Sequence, residues 1–166
     1  FVDSQVHYSY ADEICGMVLS LNEEKNPFAV TLHLIPRIVS LGIGCKKGTP
    51  QETVEQEVLK ALQSCHVSIH SIFAAASIDL KKEEEGLLSY AAKWKLPFYT
   101  FSAEELGKVK CVSSHSEFVR KVTGVDNVCE RAAILAAGED GRLLMPKQCM
   151  NRVTIAVAEK KVRIRI

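Results

Sequence analysis

A glycine-rich segment with two adjacent lysines, residues 42–49 (GIGCKKGT), carries the residue types of an anion-binding turn. It follows a short apolar run whose β-branched residues predict a buried strand. Glycine lets a ligand approach the backbone closely, and the N–H groups that open a following helix attract negative charge. The segment therefore predicts an anion cradle. Its candidate residues are Gly42, Gly44, Cys45, Lys46, Lys47, Gly48 and Thr49.

A helix is expected to begin directly after these glycines. Thr49 stands at the N-cap position, Pro50 in the first turn and Glu52 at the third position, which is the arrangement of a capping box. The dipole of such a helix would add to the attraction for an anion in the cradle.

Two nucleotide-binding motifs come close to this segment, but neither fits its spacing. In a Walker A loop a lysine follows the second glycine, whereas Gly48 is followed by Thr49. The dinucleotide-binding fingerprint G-x-G-x-x-G is one residue shorter than the spacing found here, and its acidic ribose partner is absent. A turn with only a structural role remains an alternative, and a nucleotide-phosphate site is a weaker one.

A second segment, residues 79–86, has two interpretations that are compatible. Asp79 and Lys81 come directly after an apolar run that predicts a strand, and α/β sheets bind ligands at the carboxyl ends of their strands. The alternative is a plain helix start, in which the acidic residues 83–85 interact favourably with the helix dipole.

No catalytic residue can be named from the sequence. Cys45 would be a nucleophile if nearby amides and lysines lowered its pKa, but no histidine partner can be assigned to it. His66 and His70 lie four residues apart in a segment that predicts a strand, so the helical spacing of a metal-binding pair does not apply. We therefore predict no metal site.

Hydrophobic periodicity predicts an α/β protein with three layers, α/β/α, around a mixed, mostly parallel sheet. Residues 1–31 are interpreted as a leading segment or a linker from a preceding domain, with a helix at 10–21, and residues 32–166 as one domain. The helix that begins at Glu52 is expected to expose Glu55, Gln56, Glu57 and Lys60. The other predicted helices span 83–93, 114–124 and 127–137, with a helical turn after Ser102. The predicted strands are 67–76, 96–101, 143–145, 153–158 and 162–166.

The composition limits the classes of partner and compartment. The chain has 166 residues and a net charge of +1, so no overall field attracts nucleic acid. Its six cysteines are widely spaced without a C-x-x-C pair, which favours reduced thiols and a cytoplasmic location. No signal peptide and no membrane-spanning run is recognisable, so we predict no membrane partner. The oligomeric state is left open, and a homo-oligomer is among the partners considered.

Several segments together resemble one known family. The signature GIGCKKGT at residues 42–49 is similar to that of the CbiG C-terminal domain and its stand-alone relative CobE. The segment ASIDLK at 76–81, with EEGLL at 84–88, resembles a second signature of that family, and LPF at 96–98 and LLMPK at 143–147 follow in the family's order. The resemblance covers residues 32–158 and adds Glu84 and Gly86 to the candidate binding residues.

The resemblance implies a function in cobalamin biosynthesis. Full-length CbiG is similar to a cobalt-precorrin-5A hydrolase, which opens the ring lactone and releases acetaldehyde. The implied ligand is a corrinoid that carries many carboxylates and its own cobalt, so no separate cofactor is expected. The implied partners are upstream CbiG domains. The alternative is a CobE-like module that binds or carries a corrinoid or tetrapyrrole without catalysis.

Overall fold

The structure is a computed structural model that describes residues 14–109 and 126–162. The helix predicted at 114–124 lies outside these ranges. The predicted strand at 162–166 also lies outside them except for Val162, which belongs to no strand.

Two short strands lead the chain, and they replace the helix predicted at residues 10–21. Strand β1 (Cys15–Leu19) pairs in parallel with β2 (Val30–Leu34). The helix prediction is thus wrong over its described part. It rested on the helical spacing of Ile14, Met17 and Leu21, but the backbone of β1 forms its hydrogen bonds with a neighbouring strand instead. The division of the chain at residue 31 stays a prediction.

The main sheet has five strands and a mixed topology. Strands β3 (Val39–Cys45), β4 (Ile72–Ile78) and β5 (Phe98–Phe101) are parallel neighbours. Strands β6 (Arg142–Met150) and β7 (Val153–Glu159) form an antiparallel hairpin, and β7 also pairs antiparallel with β3. The order across the sheet is β5-β4-β3-β7-β6. Helices in the β3–β4 and β4–β5 connections make these crossovers ordinary β-α-β units.

Helices cover both faces of this sheet. Helix α1 (Gln51–Ser64) packs against α2 (Glu85–Lys93) and against β7 on one face. Helix α3 (Ala103–Gly107) opens with the capping box predicted at Ser102 and packs against α4 (Val128–Ala137), which covers β3, β4 and β7 on the other face. These layers confirm the three-layer α/β/α class that the sequence predicts.

Strand β3 has one face of large side chains and one face of very small ones. Leu41 and Ile43 belong to the core cluster that also contains the buried residues of α1. On the other face, a β-carbon on Gly42 would lie 1.7 Å from the carbonyl oxygen of Cys129. The first part of the segment predicted as a turn, Gly42 to Cys45, therefore belongs to the strand, and Gly42 serves close packing against the helix.

Helix α4 approaches this small-residue face at very short range, as its alanine content predicts. Ser40 donates a hydrogen bond from Oγ to the carbonyl oxygen of Ala133, at 2.7 Å. The helix ends at Gly138, which has a φ of 101°, and it begins after Asn127, whose own φ is 49°. Other small core residues of the two clusters that contain α4 side chains are Ala76, Ala132, Ala137, Ala156 and Ala158.

Gly42→Ala is predicted to destabilise the protein by about 3 kcal/mol, the upper part of the range for overpacked cores. The added methyl group meets a backbone carbonyl, which cannot rotate away as a side chain can. Urea unfolding followed by circular dichroism measures the change. Gly107→Ala in α3 is the matched control, because a β-carbon there meets nothing within 4 Å. Equal midpoints for the two variants would contradict the packing role of Gly42.

Candidate functional site

The structure brings the two candidate segments together at one edge of the sheet. The parallel strands β3, β4 and β5 all end at this edge, and residues 46–50 follow β3 while residues 79–84 follow β4. We call residues 46–50 the glycine loop. Ligands of α/β proteins bind at this edge, because backbone groups and helix starts converge there.

A carboxylate of the protein itself occupies the glycine loop. The backbone N–H of Gly48 donates to Oε1 of Glu84 at 2.6 Å, and Nζ of Lys81 donates to Oε2 of the same carboxylate at 2.9 Å. Gly48 has a φ of 72°, which other residues rarely adopt. The anion that the structure shows at the glycine loop is therefore Glu84 of the chain itself, and the binding of an external anion there stays a prediction.

The electrostatics of Glu84 agree with this geometry. Burial alone would raise the pKa of the Glu84 carboxyl, but the hydrogen bonds from Lys81 and Gly48 outweigh burial and hold the pKa below its ordinary value. Glu84 therefore stays ionised at neutral pH and fixes Lys81 next to the glycine loop.

Three more hydrogen bonds close the glycine loop. The N–H of Lys46 donates to the carbonyl oxygen of Arg152 at 3.0 Å, while the N–H and the hydroxyl of Thr49 both donate to the carbonyl oxygen of Lys46. The capping box predicted at Thr49 is therefore wrong. Pro50 is the N-cap residue of α1, and the buried hydroxyl of Thr49 closes the turn instead of capping the helix.

The other candidate residues differ in how they relate to the loop. A β-carbon on Gly86 would lie 2.0 Å from the carbonyl oxygen of Thr49, so Gly86 lets the start of α2 pack on the loop. Gly44 faces the side chain of Thr154 within the sheet. Asp79 is exposed at the same edge and takes no part in the Lys81–Glu84 network.

The lysines of the loop remain available to a ligand. Lys46 and Lys47 are both exposed, whereas the N–H of Gly48 and the ammonium group of Lys81 are engaged with Glu84. Arg152 is also exposed, and its carbonyl group fixes its turn next to Lys46. An external anion at this edge would therefore meet side-chain cations on a fixed backbone.

Cys45 lies at the end of β3, directly before the glycine loop, and its environment does not activate it. Burial raises the pKa of the thiol, while the charge of Lys81 and a hydrogen bond with Thr49 offset the rise only in part. The expectation that this pKa is lowered is wrong. The described histidines are also distant in the topology, since His66 and His70 precede β4 at the opposite edge of the sheet.

Sequence reasoning missed the turn between β6 and β7. Asn151 and Arg152 have φ values of 41° and 70°, which is the signature of a two-residue hairpin turn. The signal that could have identified this turn is Asn151, which stands between two predicted strands. Asn151 donates from Nδ2 to Oε1 of Glu57 at 2.6 Å, so Glu57 is buried and the prediction that it is exposed is wrong.

The described residues contain neither a cluster of metal-binding side chains nor a helix that could span a membrane. Within residues 14–109 and 126–162, no group of three or more His, Cys, Asp or Glu side chains could hold a metal ion. In the same part of the chain, none of the helices has the length and apolarity needed to cross a bilayer. The five cysteines in the described part of the chain are free thiols.

A family model matches most of the chain. The family described as "Cobalamin synthesis G C-terminus" matches residues 39–158, from the start of β3 almost to the end of β7. The match therefore includes the glycine loop, the segment with Lys81 and Glu84, and the β6–β7 hairpin.

Individual relatives agree with this match. The chain is 38% identical over 123 residues to a cobalt-precorrin-5A hydrolase of Priestia megaterium, covering 74% of this chain and 32% of that protein. It is similar to the crystal structure of CobE, a protein of the cobalamin pathway, with a TM-score of 0.71, 28% identity, and coverage of 78% of this chain and 95% of CobE.

A third relative is longer. A cobalamin biosynthesis protein G homolog from Sulfolobus solfataricus is similar with a TM-score of 0.62 and 25% identity, covering 90% of this chain but 45% of that structure. The chain thus spans about a third of the length of the Priestia megaterium hydrolase and less than half of the Sulfolobus structure.

Glu84→Gln is predicted to lower the free energy of unfolding by about 1.5–3 kcal/mol at neutral pH, the range for a hydrogen bond to a charged group. Because the pKa of Glu84 is lower in the folded than in the unfolded protein, its contribution is complete above pH 4.5 and is lost as the pH falls through the folded value. Urea unfolding at a series of pH values measures the difference between the variant and the natural protein.

The difference should be constant near neutral pH and shrink below pH 4.5. Glu83→Gln is the matched control, since Glu83 is an exposed neighbour of the same charge. A difference that stays the same at acid pH would contradict the assigned role of the Glu84 carboxylate.

Proposed function

This chain belongs to the cobalamin synthesis G C-terminus family, and from that premise we propose that it is the corrinoid-binding part of a cobalt-precorrin-5A hydrolase. The relative from Priestia megaterium carries that activity in its name. Because the chain matches only a third of that relative, the complete reaction is proposed for the longer protein and substrate binding for this chain.

The observation that carries the proposal is the pair of exposed lysines on the glycine loop. Lys46 and Lys47 stand at the carboxyl edge of the parallel strands, where the loop is fixed by four hydrogen bonds of its own and by the packing of Gly86. A cation on a fixed backbone loses little further entropy when it binds an anion.

A corrinoid of the biosynthetic pathway is a large disc with acetate and propionate side chains around its rim. One exposed ion pair contributes little binding energy, so such a ligand needs several cations spread along an edge. Lys46, Lys47 and Arg152 supply exposed cations at one edge, and the starts of α1 and α2 add the positive ends of their helix dipoles there.

The loop supports binding better than it supports catalysis. The thiol of Cys45 has a raised pKa, and the hydroxyl of Thr49 donates to a backbone carbonyl instead of facing a base. Nucleophilic opening of a lactone needs an activated nucleophile or an activated water. We therefore assign the hydrolytic groups to other parts of the longer protein.

One observation favours a second candidate function. CobE is matched over 95% of its structure, so the same fold exists without the additional length of the hydrolases. A CobE-like module that binds or carries a corrinoid would use the same glycine loop. The two functions differ in whether this chain contributes to lactone opening.

Replacement of both loop lysines, Lys46→Ala with Lys47→Ala, is predicted to weaken corrinoid binding about tenfold, as expected for the loss of two exposed ion pairs. The probe is cobyrinic acid, a corrinoid with free carboxylate side chains, and its absorbance spectrum reports the titration. The loss should diminish at high salt, because salt screens exposed charges.

The matched control is the double variant Lys95→Ala with Lys161→Ala. It removes the same charge from exposed positions at the opposite edge of the sheet, after α2 and after β7. Equal losses of corrinoid affinity in both double variants would show that only the net charge matters, and would contradict binding by the glycine loop.

A turnover assay separates the two candidate functions. Incubated alone with cobalt-precorrin-5A, this chain is predicted to bind the substrate without releasing acetaldehyde, because the glycine loop holds no activated nucleophile. Acetaldehyde is measured with a coupled dehydrogenase, and binding is measured in the same sample by absorbance. Release of acetaldehyde at a rate that saturates with substrate would show that the chain contains the hydrolytic site and would reject the purely binding role.

A further inference from the structure

The two-stranded sheet at the start of the chain presents an outer face made only of apolar side chains. The register of β1 and β2 places Cys15 beside Val30, Met17 beside Leu32 and Leu19 beside Leu34. Neighbouring residues in a parallel pair point to the same side, so these six side chains share one face.

This face is open to solvent in the structure. The exposed fractions are 58% for Met17, 61% for Val30, 57% for Leu32 and 43% for Leu34. Contiguous exposed apolar side chains mark surfaces that bind other protein. Scattered exposed apolar residues are ordinary, but four of them on two paired strands form one patch.

The opposite face of the same sheet is covered by the chain's own β1–β2 connection. The ring of Phe28 lies over Gly16, where a β-carbon would come within 2.4 Å of it. Thr31 exchanges hydrogen bonds with the backbone of Phe28, and Nε2 of His33 pairs with Oδ1 of Asn26 at 3.0 Å. The polar positions of the strands therefore face inward, the reverse of a sheet that folds against water.

A sheet of two parallel strands does not form a stable unit by itself. Parallel sheets occur with both faces covered, and a two-stranded sheet is at best marginally stable in water. In the part of the chain that the structure describes, no third strand pairs with β1 or β2, and the edges of a sheet can accept further strands.

We propose that this apolar face and its edges dock a sheet-containing domain carried by the same polypeptide in its longer form. The coverage of two solved relatives favours this occupant. CobE is matched over nearly its full length but covers less of this chain than the Sulfolobus structure does. The Sulfolobus match leaves about a tenth of this chain uncovered, which is fewer residues than precede residue 39. Part of the stretch before residue 39 therefore has a counterpart in that longer protein.

The connection that follows β1 holds this sheet in a fixed relation to the main domain. The N–H of Ser68 donates to the carbonyl oxygen of Leu21 at 2.7 Å, and the hydroxyl of Ser68 donates to Oε2 of Glu23 at 2.6 Å. Leu21 also packs against the main core cluster. A domain docked on the outer face would therefore have a defined position relative to the glycine loop, whether or not that loop binds a corrinoid.

Cys15 is a reporter on this face, because its free thiol is exposed at the end of the patch. The test compares this 166-residue chain with the polypeptide expressed from the gene's own start codon. Both are treated with iodoacetamide under native conditions, and the alkylation rate at each cysteine is followed by peptide mass spectrometry. Cys149 on β6 is the control, since its thiol is exposed and lies outside the patch.

The alkylation rate of Cys15 is expected to be at least about tenfold lower in the longer polypeptide, because alkylation then requires local opening of the interface. Cys149 should react at the same rate in both. Equal rates for Cys15 would overturn the proposal, as would a gene product with no domain ahead of β1. Protection of Cys15 that rises with concentration in the 166-residue chain would identify a second copy as the occupant and would also overturn it.

Discussion

The structure depends on the contact between α4 and the small-residue face of β3. Strand β3 lies in the middle of the five-stranded sheet, and its two faces contact opposite helix layers. Gly42 leaves no side chain between the strand and the carbonyl of Cys129, so the two backbones meet directly. Leu41 and Ile43 face the opposite layer and fill the core under α1. This alternation holds the end of β3, and therefore the glycine loop, in one position.

At the glycine loop, a backbone N–H and the exposed lysine side chains have different partners. An N–H in a glycine turn attracts a negative charge whatever its source. Here Glu84 supplies that charge, and its partner Lys81 is held in the same contact. The carboxylate therefore stabilises the loop from within. Lys46 and Lys47 are exposed on the fixed turn, and in the proposed function they are the groups that bind an external anion.

Most of the fold could be predicted because hydrophobic periodicity and turn residues act locally. The helices at 51–64, 85–93 and 128–137 and most of the main sheet follow from such patterns. The predicted bounds of two strands are wrong, because β4 begins at Ile72 and not at residue 67, and β6 extends to Met150 and not to residue 145. The predictions fail where a side chain's position depends on a hydrogen-bond partner that the local pattern does not reveal. Thr49 has the sequence context of a cap but bonds to the carbonyl of Lys46, and Glu57 has the spacing of an exposed residue but binds Asn151 of the distant β6–β7 turn. For the candidate site, the sequence identified both segments, but it could not predict that Glu84 of one segment occupies the loop of the other.

The two exposed surfaces of this chain differ in what they require for function. The glycine loop is held by hydrogen bonds to Glu84 and Arg152 and by the packing of α2 at Gly86. All of these partners belong to the main sheet or to the segments that connect its strands. Among residues 14–109 and 126–162, no third strand pairs with the β1–β2 sheet and most of its outer face is exposed, and on the proposal above a further domain would supply both contacts. Corrinoid binding should therefore belong to the part shared with CobE, whereas the hydrolytic reaction should depend on what the leading sheet docks.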